Sequence, residues 1–242
     1  MRRQSSCDEF RTSVARIFDG TNDDRHEDTC MPEIDVRLAD IAADRRYKIL
    51  CSLVIPRPIA LVTSMSEGGV VNAAPFSFFN VFGDTPPIIA LGLHRRPDRT
   101  LKDTTANIHA TREFVVNLVD EALAEAMNIT AIDFPAQESE IEAANLALTA
   151  STDVKVPRIA SAPAALECRW AHSVSFTAER ELLLAEVVRA WTRDGVMDDK
   201  FNVDFVAYQP VGRLYYSLYT RKPEVFEMQR IAHADWVKAN EP

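Results

Sequence analysis

Seven glycines among 242 residues constrain this chain more than any other count. Average usage is about 7%. Gly20, Gly68, Gly69, Gly83, Gly92, Gly195 and Gly212 never fall as G-x-G-x-x-G or G-x-x-x-x-G-K. The dinucleotide-binding βαβ turn and the P-loop are therefore excluded, and any bound nucleotide is held by other means. Charge narrows the field further. Twenty-seven Lys and Arg against 36 Asp and Glu leave a net charge of −9 and a pI near 5.1. Such a surface repels polyphosphate, so nucleic acid is excluded as a general partner and an anionic ligand needs a local basic patch.

At 242 residues, with 47% hydrophobic and 26% charged positions, the chain supports one large domain, or one domain with an appendage. Cys7, Cys30, Cys51 and Cys168 show no C-x-x-C spacing, which argues against zinc, any other metal and a disulfide framework. Asp8 and Glu9 interrupt the N-terminus before an apolar run of signal-peptide length, and no stretch of about 18 apolar residues follows. The expectation is a cytoplasmic protein with no membrane partner.

Residues 1–44 read as an extension, with a solvated run at Thr21–Asp28 and an alternative start at Met31. A single domain is expected over 45–232, followed by a tail at 233–242. Within it, apolar β-branched runs at 59–64, 88–93 and 114–119 predict strands, and Glu67-Gly-Gly69 predicts a turn before a return strand at Val70–Val71. Further strands are expected over 165–176, 182–191 and 203–208. Short helices are expected at 104–110, capped by Asp103 or Thr104, at 120–127, and near 138–145. Strands at this spacing with few helices predict a mainly β, closed or nearly closed barrel.

Three segments carry possible chemistry. Asn72-Ala-Ala-Pro-Phe-Ser-Phe-Phe-Asn80 reads as a loop whose small residues let backbone approach a flat ligand, with Ser77 and Asn80 as hydrogen-bonding groups. His94-Arg-Arg-Pro-Asp-Arg-Thr-Leu-Lys-Asp-Thr104 is the densest basic cluster and runs into a helix start, a setting for an anion without any glycine loop. A monophosphate about 4 Å from one such charge gains roughly 4 kcal/mol per unit charge at an effective dielectric near 20, before desolvation. Pro56-Arg-Pro-Ile-Ala-Leu-Val-Thr-Ser64 offers Arg57 to an anion and Thr63 and Ser64 to polar ring edges. Each has a plainer reading as well: core phenylalanines, a solvated basic turn, an ordinary strand. No G-x-S-x-G or H-E-x-x-H occurs, and the five histidines are isolated, His94 alone being held in reserve. Chemistry without a side-chain catalyst points to a borrowed cofactor.

The order of these motifs is more telling than any one of them. Pro56–Ser64, Asn72–Asn80, Pro86-Pro87, Lys102–Ile108 and Glu113–Asn117, continued by Ile141–Leu146, Val156-Pro157, Leu166–Cys168 and Ala185–Val187, resemble the flavin reductase-like family over roughly residues 45–230. The resemblance implies a split β-barrel that binds FMN non-covalently, as a homodimer with each flavin near the subunit interface. It places Thr63 and Ser64 beside the flavin and Ala74, Pro75, Phe76, Ser77 and Phe78 along its ring. Lys102, Asp103 and Thr104 would meet the ribityl chain and phosphate, with Arg57 and Arg96 as additional candidates. The implied activity is hydride transfer from NAD(P)H to flavin, with a monooxygenase among the possible electron-accepting partners. One departure bears on the reductant. Members that reduce free flavin often carry Gly-Asp-His before a Gly-Glu-Val strand, where this chain has Thr177-Ala-Glu-Arg-Glu-Leu182 and then Ala185-Glu-Val187. The absent histidine leaves open a module that binds flavin without turning over NAD(P)H.

Overall fold

The computed structural model describes residues 33–134, 138–221, 224–233 and 235–236. Cys7, Cys30, His26, the 21–28 run, Met31 and most of the 233–242 tail lie outside the described residues. The chain divides into two units, Met1–Ile41 and Ala42–Pro242. The described part of the first contains one 3-10 turn, Leu38–Asp40.

The second unit begins with α1 (Ala43–Leu53), β1 (Ala60–Met65), β2 (Val71–Phe76), β3 (Phe79–Asp84) and β4 (Pro87–His94). It continues through α2 (Asp103–Thr111), β5 (Glu113–Leu118), α3 (Ala124–Ile129), α4 (Glu140–Ala143), β6 (Leu148–Thr149) and β7 (Arg158–Ile159). The long hairpin β8 (Ala164–Thr177) and β9 (Arg180–Thr192) follows, then α5 (Phe205–Tyr208), β10 (Gly212–Arg213) and β11 (Tyr219–Thr220). Seven strands form one antiparallel sheet in the order β2-β1-β5-β8-β9-β4-β3.

That order dictates the shape. β2 and β3 lie at opposite edges, yet the chain passes between them through Ser77 and Phe78 alone. Three Cα steps reach about 11 Å, whereas seven strands laid flat would separate their edges by about 29 Å. The sheet must curl until its edges meet. No ladder joins β2 to β3 among the described residues, so the barrel is split at that seam.

Period-two alternation sends the side chains around β1 into two of the three apolar clusters. Ala60 and Val62 join Leu91, Phe114, Val116 and Leu183 in one cluster. Ile59 and Leu61 point the other way, beneath Leu123, Met127 and Ile141 of the α3–α4 region. β1 is thus buried on both faces, as its unbroken apolar run requires. Each fully buried Leu, Ile or Phe contributes about 1.5–3 kcal/mol of transfer energy. Asn117 is the polar knot in this apolar wall. Its Nδ2 donates to Leu61 O at 3.0 Å and Thr63 Oγ1 at 3.2 Å, and its Oδ1 accepts from Ile159 N at 2.7 Å.

Several expectations need correction. Most of the 72–80 stretch is strand, because Asn72–Phe76 pairs with β1 and only Ser77 and Phe78 turn. Residues 203–208 form no long strand. Asp204 caps a helical turn by accepting from Val206 N at 2.8 Å and Ala207 N at 3.0 Å. Neither Asp103 nor Thr104 caps α2: Lys102 is the N-cap, with no side-chain cap bond. The helix expected at 120–127 starts only at Ala124, after a turn held by Asp120 Oδ1 accepting from Leu123 N at 2.9 Å.

The corner depends on a close approach. Gly92 N donates to Phe78 O at 2.7 Å, and a Cβ on Gly92 would stand 2.8 Å from Phe78 Cβ. Gly92→Ala therefore forces corner and strand apart and should destabilise the fold by about 1–3 kcal/mol. A urea-unfolding midpoint equal to that of the parent protein would contradict the packing described.

Candidate functional site

The segment from Asn72 to Asn80 lines two cavities in succession. The first, about 430 Å³, is walled by Asn72, Ala74, Pro75 and Phe76 on β2 and by Arg96, Lys102, Asp103 and Thr104 around the start of α2. Residues 130–134 and Glu140 close it from the far side. β2 pairs only with β1, so its outer peptide edge faces away from any ladder. The first turn of α2 adds N–H groups that no intrahelical carbonyl can satisfy, and Lys102 supplies no side-chain cap.

Charges at this cleft are paired but exposed. Arg96 Nη2 meets Asp103 Oδ2 at 2.9 Å, with side chains 41% and 58% accessible. Arg96 also donates to Leu101 O. Lys102 Nζ meets Asp133 Oδ1 at 3.4 Å, with Asp133 at 95% accessibility. Exposed pairs of this kind contribute about 0.2–1 kcal/mol, so these carboxylates are weakly held. Asn72 bridges the cleft's polar wall. With its oxygen accepting from Thr104 Oγ1 at 2.8 Å, its nitrogen donates to both Glu140 carboxylate oxygens at 3.1 Å. Burial, and secondarily the nearby Asp103, raises the Glu140 carboxyl above the usual carboxylate range, against a backbone hydrogen bond that lowers it.

The second cavity, about 620 Å³, begins where the first ends. Ser77, Phe78 and Asn80 line it, with His94 on β4 and Arg180 on β9. The Phe78 and His94 rings lie 6.0 Å apart. His94 and Arg180 are cross-strand partners, and an Arg180 Nη1–H donates to His94 Nε2. Half-buried His94 is pushed down to about 4, first by desolvation, then by Arg180 and Lys102.

The expected site residues therefore separate into groups. Ala74, Pro75, Phe76, Arg96, Lys102, Asp103 and Thr104 share the first cleft, while Ser77, Phe78 and Asn80 face the second. Arg57 borders the second, but its guanidinium turns inward and donates to Cys51 O at 2.6 Å, Val54 O at 3.0 Å and Leu214 O at 2.7 Å. Thr63 and Ser64 line neither cavity. Both are fully buried in β1, Thr63 Oγ1 donating to Pro157 O at 2.7 Å and Ser64 Oγ accepting from Asn107 Nδ2 at 3.2 Å. Asp133 and Glu140 were not anticipated. They reach the cleft from beyond α3, and nothing in their local sequence distinguishes them from other surface carboxylates. Cys51 and Cys168 are both buried, and burial raises the Cys168 thiol far above its ordinary value. Among the described residues no cluster of His, Cys, Asp and Glu is placed to hold a metal, and no helix is long and apolar enough to cross a membrane.

The His94 environment carries a pH signature. Its folded pKa lies below the ordinary 6.5, so between pH 6.5 and about 4 the unfolded chain takes up a proton that the folded one refuses. That contribution to stability is complete above 6.5 and is lost as pH falls toward 4. His94→Gln should flatten the decline of the urea midpoint across this window. An unaltered pH profile would place His94 in water.

A model of the flavin reductase like domain matches residues 52–216. Among solved structures, Pseudomonas fluorescens 2-nitrobenzoate 2-nitroreductase NbaA is 35% identical with a TM-score of 0.76, over 83% of this chain and 98% of that one. Nitrilotriacetate monooxygenase component B from Bacillus cereus is 32% identical with a TM-score of 0.77, over 82% and 100%. A Shewanella frigidimarina protein with a split barrel domain shares the fold at 19% identity and a TM-score of 0.72, over 83% and 100%. An antiparallel sheet split at one seam, a basic helix start facing its edge strand, and a domain match across most of the chain agree: the protein belongs to the flavin reductase-like family and is a flavin-related oxidoreductase.

Proposed function

We propose that the protein binds FMN in the first cleft and transfers hydride to it from NAD(P)H. One observation carries the reading: the edge strand Ala74–Phe76 and the start of α2, remote in sequence, face each other across a single cleft. The donor set fits a phosphorylated flat ligand. Lys102, Arg96 and the unpaired first-turn N–H groups of α2 would hold the phosphate, and Asp103 and Thr104 would hydrogen-bond the ribityl hydroxyls. Along the ring, backbone N–H donors are available from Ala74, Phe76, Ser77 and Phe78 but not from Pro75. When bound, FMN supplies the two-electron chemistry between a reduced nicotinamide and a second acceptor. The chain's part is to hold ring and donor at contact distance and to aim fixed N–H dipoles where negative charge grows.

The edge strand β3 leaves Val81 and Phe82 at 64% and 68% accessibility. Exposed apolar residues on an unpaired edge support a homodimer. The likeness to a nitrilotriacetate monooxygenase component supports a monooxygenase as the downstream partner. A second reading has its own observation. The β8–β9 turn, Thr177-Ala-Glu-Arg180, brings no histidine toward the open side of the sheet, which favours a protein that carries or senses flavin without oxidising NAD(P)H.

Two measurements decide. Lys102→Ala should weaken FMN binding by about 1.5–3 kcal/mol, the range for a charged hydrogen bond. An unchanged dissociation constant in a fluorescence titration removes Lys102 from the site. Stopped-flow mixing of the FMN-loaded protein with NADH and with NADPH should bleach the flavin absorbance with saturable kinetics for at least one of them. No bleaching with either leaves the flavin-carrier reading in place.

A further inference from the structure

The second cavity has a chemistry of its own. Its walls are dominated by apolar side chains, with Leu50 from α1, Val54 just after it, Phe78 at the corner and Phe176 near the hairpin tip. At 620 Å³ it lies within the range of small-molecule sites. Three charged residues border it, and two are already satisfied. The Arg57 guanidinium is spent on three main-chain carbonyls, and Glu181 Oε1 meets His109 Nε2 at 2.9 Å. Arg180 remains. Among the described residues it has no carboxylate within ion-pair distance, its partner being the His94 imidazole. Arg180 is thus a cation without a carboxylate partner, beside an imidazole that desolvation keeps neutral, at the rim of a phenylalanine-bearing pocket.

We propose that this pocket binds a planar aromatic monoanion of the benzoate class, its ring between Phe78 and Phe176 and its carboxylate on Arg180. The flat walls favour a ring over an aliphatic chain, and a guanidinium matches a carboxylate through two parallel N–H donors. One free positive charge selects a monoanion rather than a dianion or a neutral ring. The assignment rests on the proposed FMN reading only for its meaning: along the chain the first cavity's lining ends at Phe76 and this one's begins at Ser77, so the ligand would lie near the flavin as a substrate.

The test titrates benzoate and its neutral analogue benzyl alcohol into the full-length protein by calorimetry at neutral pH, with and without FMN. Benzoate should bind saturably, one per chain, and at least ten-fold more weakly to Arg180→Gln, with Arg180→Lys in between. Benzyl alcohol should not distinguish the three proteins, which separates loss of charge from loss of fold. Absence of saturable benzoate binding overturns the proposal, as does benzoate affinity unmoved in Arg180→Gln or an equal loss for both probes. The FMN titration run in parallel keeps the two ideas apart. Benzoate binding without FMN binding removes the flavin site and leaves this pocket, and the converse removes the pocket alone.

Discussion

The two-residue corner at Ser77–Phe78 is the constraint on which the rest of the structure depends. It joins the two edges of a seven-stranded sheet, and a flat sheet of that width cannot be bridged by so short a link. Curvature follows from connectivity, and an interior follows from curvature. The absence of a side chain at Gly92 is what lets the corner approach β4 closely enough for the Gly92 N–Phe78 O hydrogen bond. Because the seam is crossed by a corner and not zipped by a ladder, β2 keeps an outer row of peptide groups outside the sheet. In most proteins such an edge is a hazard to be covered. Here it forms one wall of the cleft, where a flat ligand can meet main-chain donors directly.

The opposite wall shows how an acidic protein gathers positive charge locally. Net charge acts at long range and is screened within about 8–10 Å at ordinary ionic strength. The cleft instead places two cations and a helix start within hydrogen-bonding reach of one volume. Its carboxylates are held loosely: Asp133 and Asp103 are exposed partners of Lys102 and Arg96, and Glu140 is steadied by the Asn72 amide. Exposed pairs of this kind are worth less than about 1 kcal/mol each and open readily. Buried charges are treated differently. Glu167 accepts from the main-chain nitrogens of Thr152, Asp153 and Val154 at 2.9, 2.6 and 3.1 Å, and the two Arg57 Nη atoms donate to three carbonyls. The molecule's deeply buried charges serve the fold, and its half-exposed ones form loose ion pairs along the cleft.

Much of the architecture was legible locally because local rules decide it. The apolar run Ile59–Ser64 reads as a strand and Glu67-Gly-Gly69 as the turn that ends it, and β1 lies there over Ala60–Met65. The order of short motifs carried the family. Misreadings arose where a tertiary partner overrode composition. Asn72–Pro75 looks like a loop because small polar residues and proline favour one, yet pairing with β1 makes it strand. Arg57 looks like an anion binder because a cation between prolines looks exposed, yet the chain folds back to offer it three carbonyls. Asp103 and Thr104 look like helix caps, yet Arg96 and Asn72 claim their side chains instead.

By itself, the sequence determined that the molecule has no glycine-loop phosphate motif and is mainly β, and it marked three segments as candidates for polar chemistry. Those are consequences of residue type and spacing, which act over a few bonds. Only the tertiary structure decided that Asn72–Phe76 and the start of α2 share a cleft, that Thr63 and Ser64 turn inward, and that Asp133, Glu140 and Arg180 line the two cavities. The reason is physical: curling a seven-stranded sheet onto its own edge brings together residues that no local rule relates, and the burial it enforces chooses which polar groups bond each other and which stay free.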